Sequence, residues 1–548
     1  MPENSDSQLT LRVILPWVLL FLALMSLPYL VAWLGPPAGK VFVGTFVNPD
    51  DLSTYLAAIR QGGDGRWLYH FSFSPEPWQP KLMLLPYLLL GKVAAVLGGS
   101  GLFWFHLLRL TAVLFTLLIF LFWVRTLFPG RARLQFTAWF LIVYGSGIGW
   151  LVAILRLAER VPGGLPDLGG PEWSVFMAMF HTPHFALGVG LEVLLFICVL
   201  KMCAPEGHGR KPPIQWAIAG SIVGVALGLT YVYHLPVAGL VIGFYLLARA
   251  WQQRRIPWRL WGYGLLILLP LALLLIYYAL LTNQDPYFAA YTQQEHVIPP
   301  PPPLAALIGI GFLGLMALVG LRAWIRAQLT WLVPLWVAAN VLLLYLPIVQ
   351  FSGRFALGLM VPIATLAAWG LEEVILPGLA KRPFYTRFSQ WTPTPYATLR
   401  RVFFFLVIPS TIILSLLVTK TAADAQDFPT YLPATEITAA RWLAQQAGPD
   451  DLVLAYYPMG NYLPRVLPGK VFLGQLDYTT DLEGKVALVE QFWQPETSLA
   501  WRQALIETWH IDYIYAGQYE ALLGDTAVPV PGEIVYNRDG VMIYHVIR

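Results

Sequence analysis

The sequence has few charged residues and very few cysteines. Asp, Glu, Lys and Arg make up 12% of its 548 residues, whereas a soluble globular domain has about 25%. This scarcity of charge, together with a hydrophobic content of 57%, excludes a soluble protein and predicts an integral membrane protein. The two cysteines, Cys198 and Cys203, lie close together in one apolar segment, which excludes a disulfide framework and a cysteine metal site.

Long apolar runs predict the membrane spans. Leu11–Leu34 is long enough to cross a bilayer and lacks a small-residue cleavage site, so it is predicted to be the first span. The run Leu82–Leu97 is interrupted by Pro86 and Lys92, and its length fits either a marginal span or an interfacial helix. Further spans are predicted at about Phe103–Val124, Phe136–Leu155, His184–Met202, Ile214–Leu229, Pro236–Leu247, Leu260–Leu281, Leu304–Leu321, Leu329–Ile348, Phe355–Leu371 and Val402–Val418.

The distribution of basic residues fixes the predicted topology. Two loops, Tyr231–Pro236 and Thr282–Pro303, contain no Lys or Arg, whereas Arg125–Arg133 and Lys381–Arg401 are rich in them. The basic loops all lie in the cytoplasm only if Leu82–Leu97 does not span. We therefore predict a polytopic α-helical protein of the cytoplasmic membrane with about eleven spans. Its N-terminus is cytoplasmic, and its C-terminal tail lies outside the cytoplasm.

The first outer loop, residues 35–102, contains an adjacent pair of acids, Asp50 and Asp51. The residues after the pair predict a short interfacial helix, because they form one apolar stripe at i, i+3, i+4 and i+7: Leu52, Tyr55, Leu56 and Ile59. Paired carboxylates at the water boundary can accept a proton, bind a divalent metal, or both. The alternative is that one Asp merely caps the helix, a position that Asp favours.

The tail has a different pattern. From about residue 421 the chain predicts a small extracytoplasmic α/β domain (421–548) after a membrane domain (1–420). Its predicted helices are Glu436–Gln446 and Trp501–Trp509, and its predicted strands are Asp451–Tyr457, Lys470–Leu473, Asp512–Ala516, Gly532–Tyr536 and Val541–Val546. It contains no phosphate-binding glycine pattern, nucleophile elbow or metal-ligand spacing. We interpret it as an accessory or substrate-capturing domain.

Polar residues also occur at the predicted outer ends of spans, where they are costly unless used. His181 and His184 precede one span at i and i+3, and Glu295 and His296 lie in the late outer loop. A lone interfacial histidine is more often a satisfied polar residue than a ligand. Arg354 opens another span, where it either snorkels to lipid headgroups or binds a phosphate bidentately.

This layout resembles the GT-C superfamily of membrane glycosyltransferases, and within it the protein mannosyltransferase and aminoarabinose-transferase branch. In the first outer loop the similarity rests on an acidic pair (Asp50-Asp51), a helix that contains a tyrosine (Tyr55) and a Glu-Pro…Lys segment (Glu76-Pro77 with Lys81). Further along the chain it rests on an arginine in the next span (Arg109), a long late loop (Asn283–Pro303) and a span that begins with an arginine and runs into a proline (Arg354…Pro362).

The resemblance implies transfer of a sugar from a polyprenyl-phosphate donor to an acceptor hydroxyl on the extracytoplasmic face, with inversion. Asp50 or Asp51 would be the general base, and Lys81 and Arg354 would stabilise the departing phosphate. Tyr55, Glu76 and Arg109 are further substrate-binding candidates. Glu295 and His296 would close over the donor. The expected partners are this donor, an acceptor (protein, lipid or glycan) and membrane lipids, with no nucleic acid and no nucleotide cofactor.

A divalent metal is a further expectation, with Asp51, His181 and His184 as candidate ligands. Carboxylates alone would favour Mg²⁺ or Mn²⁺, and added imidazoles would favour Zn²⁺. The chain departs from the family here: many relatives carry an Asp before the span that begins at His184, and this sequence has His-Thr-Pro-His instead.

Two other classes of protein stay open. A transporter or flippase of lipid-linked saccharides would show internal repeats and ionisable groups near the membrane midplane, whereas this sequence has its polar groups at the predicted outer edge. A non-catalytic membrane scaffold or receptor would act through its tail. Deleting the tail would leave a scaffold without function, whereas a transferase would keep donor binding in its membrane half.

Overall fold

The computed structural model describes residues 8–204, 214–295, 298–347 and 349–547. They form two compact units. The first unit comprises Met1–Ser26, Leu108–Leu280 and Val297–Val418, and the second comprises Leu27–Leu107, Leu281–His296 and Thr419–Arg548. The second unit thus groups the first outer loop with the tail. The predicted domain boundary at 420/421 stays a prediction.

Helices dominate the described chain. The first twelve are α1 (Leu11–Leu34), α2 (Pro49–Gly63), α3 (Leu85–Leu97), α4 (Gly101–Leu127), α5 (Ala132–Tyr144), α6 (Gly149–Ile154), α7 (Pro166–Gly169), α8 (Val175–His181), α9 (Pro183–Met202), α10 (Ile214–Thr230), α11 (His234–Gln253) and α12 (Trp258–Gln284). The next twelve are α13 (Pro286–Glu295), α14 (Pro303–Arg326), α15 (Leu332–Tyr345), α16 (Met360–Gly370), α17 (Leu376–Ala380), α18 (Pro383–Trp391), α19 (Pro395–Val407), α20 (Pro409–Asp424), α21 (Ala434–Gln446), α22 (Tyr457–Tyr462), α23 (Leu482–Trp493) and α24 (Leu499–Trp509). The strands are β1 (Lys40–Phe42), β2 (Tyr431–Pro433), β3 (Leu452–Leu454), β4 (Lys470–Val471), β5 (Tyr513–Ala516), β6 (Glu533–Arg538) and β7 (Val541–His545).

Within the described residues, seven helical segments are long and apolar enough to span a membrane. They are α1, α4, α9, α11, α12, α14 and the segment Ser352–Ala380. The bent pair α19 and α20 brings the number to eight if it is one span. The polytopic helical class is confirmed, and the count of about eleven spans is not. Two predicted spans, α10 and α15, are shorter apolar helices, and Ile348, the predicted end of the second, lies outside the described residues.

The predicted span Phe136–Leu155 is wrong as a continuous helix. Helix α5 ends at Tyr144 and α6 begins only at Gly149. Between them the backbone leaves the helix, and the Ile148 N–H donates to the carbonyl of Ile308 at 2.9 Å. A Cβ at Gly147 would come within 2.3 Å of the Ile308 carbonyl oxygen, so glycine is required for this approach. The hydrogen bond to another chain segment replaces the helical one that is lost.

Helices α2 and α3 cross at a pair of glycines in the second unit. A Cβ at Gly62 would lie 2.0 Å from the Leu88 carbonyl oxygen, and one at Gly91 would lie 1.9 Å from that of Ile59. The two backbones therefore touch. Helix α3 has 13 residues, which is about 20 Å and too short for a bilayer core. This agrees with the prediction that Leu82–Leu97 does not span.

The tail contains a five-stranded sheet in the order β4-β3-β5-β7-β6. Strands β4, β3 and β5 are parallel, and β7 pairs antiparallel with β5 and β6. All five predicted strands are present, and so are the two predicted helices, as α21 and α24. Strand β2, at the start of the tail, pairs antiparallel with β1 of the first loop. The small α/β tail is therefore confirmed.

Two buried acids lie at the carboxyl end of β5. The Glu520 carboxylate accepts hydrogen bonds from the N–H groups of Tyr456 (2.6 Å) and Gly517 (2.9 Å). The Glu436 carboxylate accepts from the Tyr515 hydroxyl at 2.6 Å. Burial, followed by the negative charge of Glu436, raises the pKa of Glu520 from 4.5 to about 7. Burial also raises the pKa of Glu436.

This raised pKa predicts a pH-dependent stability of the tail. Between about pH 4.5 and about pH 7 the folded chain keeps a proton on Glu520 that the unfolded chain has released. The free energy of unfolding therefore falls as pH rises through this window, by roughly 3 kcal/mol, and stays low above it. Thermal melts of the full-length protein at pH 5 and pH 8 should show this fall. E520Q should reduce this fall, since only the contribution of Glu436 is left, and E507Q, at an exposed glutamate, should not change it. A wild-type slope in E520Q contradicts the assignment.

Candidate active site

The acidic pair occupies the first turn of α2. Asn48 is the residue at the helix N-cap, with a φ of 47°, a conformation that Asn tolerates better than most residues. Pro49 follows at the first helical position, where its missing N–H costs nothing. Asp50 and Asp51 are therefore inside the helix, and neither is the cap residue. Their charges are stabilised by the positive end of the helix dipole.

The tail supplies the hydrogen-bond partners of Asp50. The hydroxyl of Tyr457 and the side-chain amide of Asn461, the latter at 3.0 Å, both donate to its Oδ1 atom. Burial and then the hydrogen bond to Asp50 raise the pKa of Tyr457, so this phenol stays protonated and continues to donate. The second oxygen, Oδ2, accepts no hydrogen bond from any residue that the structure describes. One oxygen is thus held and the other is available.

Both oxygens of Asp51 are engaged. Its Oδ2 accepts from the Asn48 amide and, at 3.2 Å, from the Tyr55 hydroxyl. Its Oδ1 accepts from Gln475 Nε2 at 3.3 Å. Tyr55 is itself fixed, since its ring stacks on Tyr87 with centroids 4.6 Å apart. Asp51 is therefore held more rigidly than Asp50.

A half-buried arginine, Arg465, lies close to the pair. Arg465 Nε donates to the Ser53 hydroxyl at 2.9 Å, and Nη1 donates to the Val43 carbonyl at 2.8 Å. Burial lowers the pKa of Arg465 to about 10, against the opposing influence of Tyr462 and Asp50. The arginine therefore remains a cation at neutral pH, and it ties α2 to the tail.

These tail residues share one feature of the sheet. Tyr457 and Asn461 follow β3, and Gln475 follows β4. Because β3 and β4 are parallel, their carboxyl ends meet at one edge, where α/β sheets place their ligand-binding residues. Sequence reasoning missed all three. The usable signal was a predicted strand that ends in Tyr456-Tyr457 and is followed directly by Pro-Met-Gly-Asn.

Lys81 forms an ion pair within the second unit. Its Nζ lies 2.5 Å from Asp285 Oδ2, and the lysine is only 6% exposed. Asp285 also caps α13, because its Oδ1 accepts from the N–H groups of Tyr287 and Phe288 at 3.0 and 3.2 Å. Burial acts to raise the pKa of Asp285, but the hydrogen bond from Lys81 and the two backbone N–H groups outweigh it and lower the pKa.

Glu76 and Arg109 have partners inside the protein. The carboxylate of Glu76 pairs with the buried ammonium of Lys485 at 2.6 Å and accepts from the Ser74 hydroxyl. Arg109 is buried in α4 of the first unit, where Nη1 donates to the Met25 carbonyl at 3.3 Å. These contacts secure the first loop to the tail and α4 to α1. Substrate binding by either residue stays a prediction.

Arg354 belongs to a separate polar cluster in the first unit. Its Nη1 lies 2.8 Å from Glu172 Oε1, and its guanidinium lies 5.8 Å from the centre of the Phe185 ring. His181 and His184 both contact that same ring edge-on, with centroids 5.1 and 5.0 Å away. Glu172 thus supplies a carboxylate that the His-Thr-Pro-His segment lacks. Sequence reasoning did not identify it.

The predicted metal ligands are not assembled in the part of the chain that the structure describes. No three His, Cys, Asp or Glu side chains are grouped there as a metal site requires. Asp51 accepts hydrogen bonds from N–H and O–H donors on both oxygens, and metal binding by Asp51, His181 and His184 stays a prediction. Glu295 ends α13, and His296 lies outside the described residues.

No family model matches the chain, and no curated protein matches it by sequence. Solved structures with a similar fold include the following three. Arabinofuranosyltransferase AftD from Mycobacteria has a TM-score of 0.55 and 13% identity, over 100% of this chain and 40% of that chain. An Archaeoglobus fulgidus oligosaccharyltransferase with a tethered acceptor peptide has 0.52 and 12%, over 96% and 74%. Apo ArnT from Cupriavidus metallidurans has 0.51 and 15%, over 97% and 98%. At these identities the likeness establishes the fold.

Proposed function

We propose that this chain, which has the fold of the GT-C membrane glycosyltransferases, transfers a sugar from a polyprenyl-phosphate donor to an acceptor hydroxyl. The observation that carries the proposal is the acidic pair on α2, with Asp50 held through one oxygen by Tyr457 and Asn461 and its other oxygen available. A carboxylate oriented in this way is equipped to take a proton from an alcohol. The three similar structures carry the names of enzymes that transfer sugars.

Asp50 is the general base in this proposal. The acceptor oxygen bonds to the anomeric carbon while the bond from that carbon to the phosphate oxygen breaks. The acceptor proton passes to Asp50 Oδ2, and the bonding electrons leave with the lipid phosphate. One displacement of this kind inverts the anomeric carbon. Asp51, with both oxygens hydrogen-bonded, is a positioning residue that fixes the first turn of α2.

Cationic side chains stabilise the departing phosphate. Lys81 is buried and paired with Asp285, and an ammonium has three N–H donors, so it can also bind a phosphate oxygen. Fixed charge in a water-poor site stabilises a developing anion more than the same charge in water does. Arg354 is the second candidate, and its fork geometry suits a phosphate. Lys81 and Arg354 can each bind a phosphate oxygen directly through their N–H groups.

The proposed orientation follows from the positive-inside rule. The N-terminus and the basic loops lie in the cytoplasm, and α2, the late loop and the tail face outward. The acceptor is a hydroxyl of a protein, lipid or glycan on that face. Glu295 and His296 are proposed to close over the donor.

The decisive assay uses purified full-length protein in proteoliposomes with a panel of radiolabelled polyprenyl-phosphate sugars. We expect release of polyprenyl phosphate together with labelled product. A flippase would instead move intact donor across the bilayer and release no lipid phosphate, so intact movement alone would overturn the proposal. A scaffold would do neither, and the absence of both activities across the panel would favour that class.

Tyr457 offers a test of how the tail contributes to the site. Y457F removes the hydroxyl that donates to Asp50 while keeping the ring, and a hydrogen bond to a charged group contributes about 1.5–3 kcal/mol. We expect kcat to fall about tenfold or more with KM nearly unchanged, because the phenol orients the base and does not bind the donor. Steady-state kinetics check this. Y456F, at the neighbouring half-buried tyrosine, is the matched control; equal losses in the two variants would contradict the assignment.

A further inference from the structure

A cavity of about 860 Å³ lies in the first unit between α1, α5 and α19. Its walls are largely aromatic. Trp17 meets Phe140 edge-on with centroids 5.0 Å apart, and Phe140 stacks on Phe404 at 4.5 Å. Trp17, Phe140 and Phe404 thus contact one another and also line the cavity. The wall therefore suits an apolar chain.

Three arginines also line this cavity: Arg133, Arg400 and Arg401. Arg400 is neutralised, because its Nε and Nη2 lie 2.5 and 2.9 Å from the two oxygens of Glu372. Arg133 and Arg401 are exposed and form no ion pair with any residue in the described ranges. The cavity therefore has an uncompensated positive charge, contributed by α5 and α19.

The surroundings place the cavity at the level of lipid headgroups. Helix α18, just before the cavity residues on α19, carries Trp391 and Phe384, which are 86% and 46% exposed, and the exposed Arg387. Exposed aromatic and basic side chains on a short helix are typical of a helix in the membrane interface. One turn beyond Arg401, Phe405 is 73% exposed, as expected for a residue facing acyl chains.

We infer that this cavity binds the headgroup of an anionic glycerophospholipid. The lipid phosphate would bind Arg133 and Arg401. The part of an acyl chain nearest the headgroup would lie on the rings of Trp17, Phe140 and Phe404. Basic pockets between membrane helices on the cytoplasmic side bind anionic headgroups in this way. The aromatic wall favours a lipid over a free phosphate ion. The inference is independent of the proposed sugar transfer, because it uses none of the residues assigned to it.

The test is native mass spectrometry of full-length protein in detergent with equal amounts of phosphatidylglycerol and phosphatidylcholine. We expect the wild type to retain phosphatidylglycerol in preference. Each basic residue contributes about 1 kcal/mol to anionic lipid binding, so R133Q/R401Q should lower retention about thirtyfold. R382Q/R387Q, which removes two exposed arginines that do not line the cavity, should change it less than about threefold. R133K/R401K, which keeps both charges, should retain most of the binding.

Three results would overturn the inference. Equal losses in R133Q/R401Q and R382Q/R387Q would mean that surface charge alone attracts the lipid. Equal retention of phosphatidylcholine and phosphatidylglycerol by the wild type would mean that the arginines do not select the headgroup. If inorganic phosphate raises the melting temperature as much as phosphatidylglycerol does, the site binds a small anion. A melt of R133Q/R401Q at the wild-type temperature confirms that any loss of lipid is not a loss of fold.

Discussion

Replacement of Asp50 by asparagine is expected to lower the rate of sugar transfer by about 10²–10⁴-fold, the range that a general base contributes. Asparagine has nearly the same shape, and its carbonyl oxygen can still accept from Tyr457 and Asn461. What it loses is the ability to take the acceptor proton at the second oxygen. The variant should therefore bind donor normally and fail in the chemical step. Single-turnover kinetics with labelled donor separate these two steps.

Two further variants make this result specific. D51N should cost less than D50N, because Asp51 is hydrogen-bonded on both oxygens and positions the turn. D64N, at an exposed acid at the other end of α2, should leave turnover unchanged. Full turnover in both D50N and D51N would dismiss the assignment of the base. A larger loss in D51N than in D50N would exchange their roles.

The sequence predicted those parts of the fold that are written in local patterns. The acidic pair was placed at the start of a helix, because Asp50 and Asp51 stand directly before an i, i+3, i+4, i+7 stripe. The five tail strands were found from short β-branched and aromatic runs between turn residues. Each of these depends on neighbours in sequence. The prediction that Leu82–Leu97 does not span came instead from basic loops along the whole chain, and it stays a prediction that the 13 residues of α3 agree with.

The contacts that the sequence did not predict have a different origin. Tyr457 and Gln475 reach the acidic pair from more than 400 residues away, and no local pattern records such a pairing. The same holds for the carboxylate partners of predicted phosphate-binding cations: Asp285 for Lys81 and Glu172 for Arg354. A cation in a sequence looks available, but burial requires that it be paired. Only the tertiary fold shows which acid pairs with it.

The buried face of α2 shows the same limit. Its predicted stripe is buried, but so are Ser53, Thr54 and Ala57 outside the stripe. The tail reaches this side of the helix, since Arg465 binds Ser53. The helix was expected to present its acids to water at the bilayer surface, and the acids are instead half-buried and held by the tail. The tail therefore supplies hydrogen-bond partners to the acidic pair, and its interpretation as an accessory or substrate-capturing domain stays a prediction.

Replacement of Lys81 by methionine is expected to lower kcat by about 10²–10³-fold, the cost of removing one donor to a developing anion. The variant also leaves Asp285 as an uncompensated charge, and breaking a buried ion pair costs about 3–5 kcal/mol of stability. A loss of activity in K81M alone would therefore have two explanations. The partner residue provides the means to separate them.

The double variant K81M/D285N removes both charges. Asparagine is as good a helix cap as aspartate, so α13 should keep its first turn, and the melting temperature should return most of the way to that of the wild type. If Lys81 binds the departing phosphate, turnover should stay about as low as in K81M, because the cation is still missing. Recovery of turnover along with stability would mean that Lys81 serves only to neutralise Asp285. K92M, which removes a half-buried lysine on α3 that contacts Trp67 and donates to the Gly65 carbonyl, is the matched control and should retain both properties.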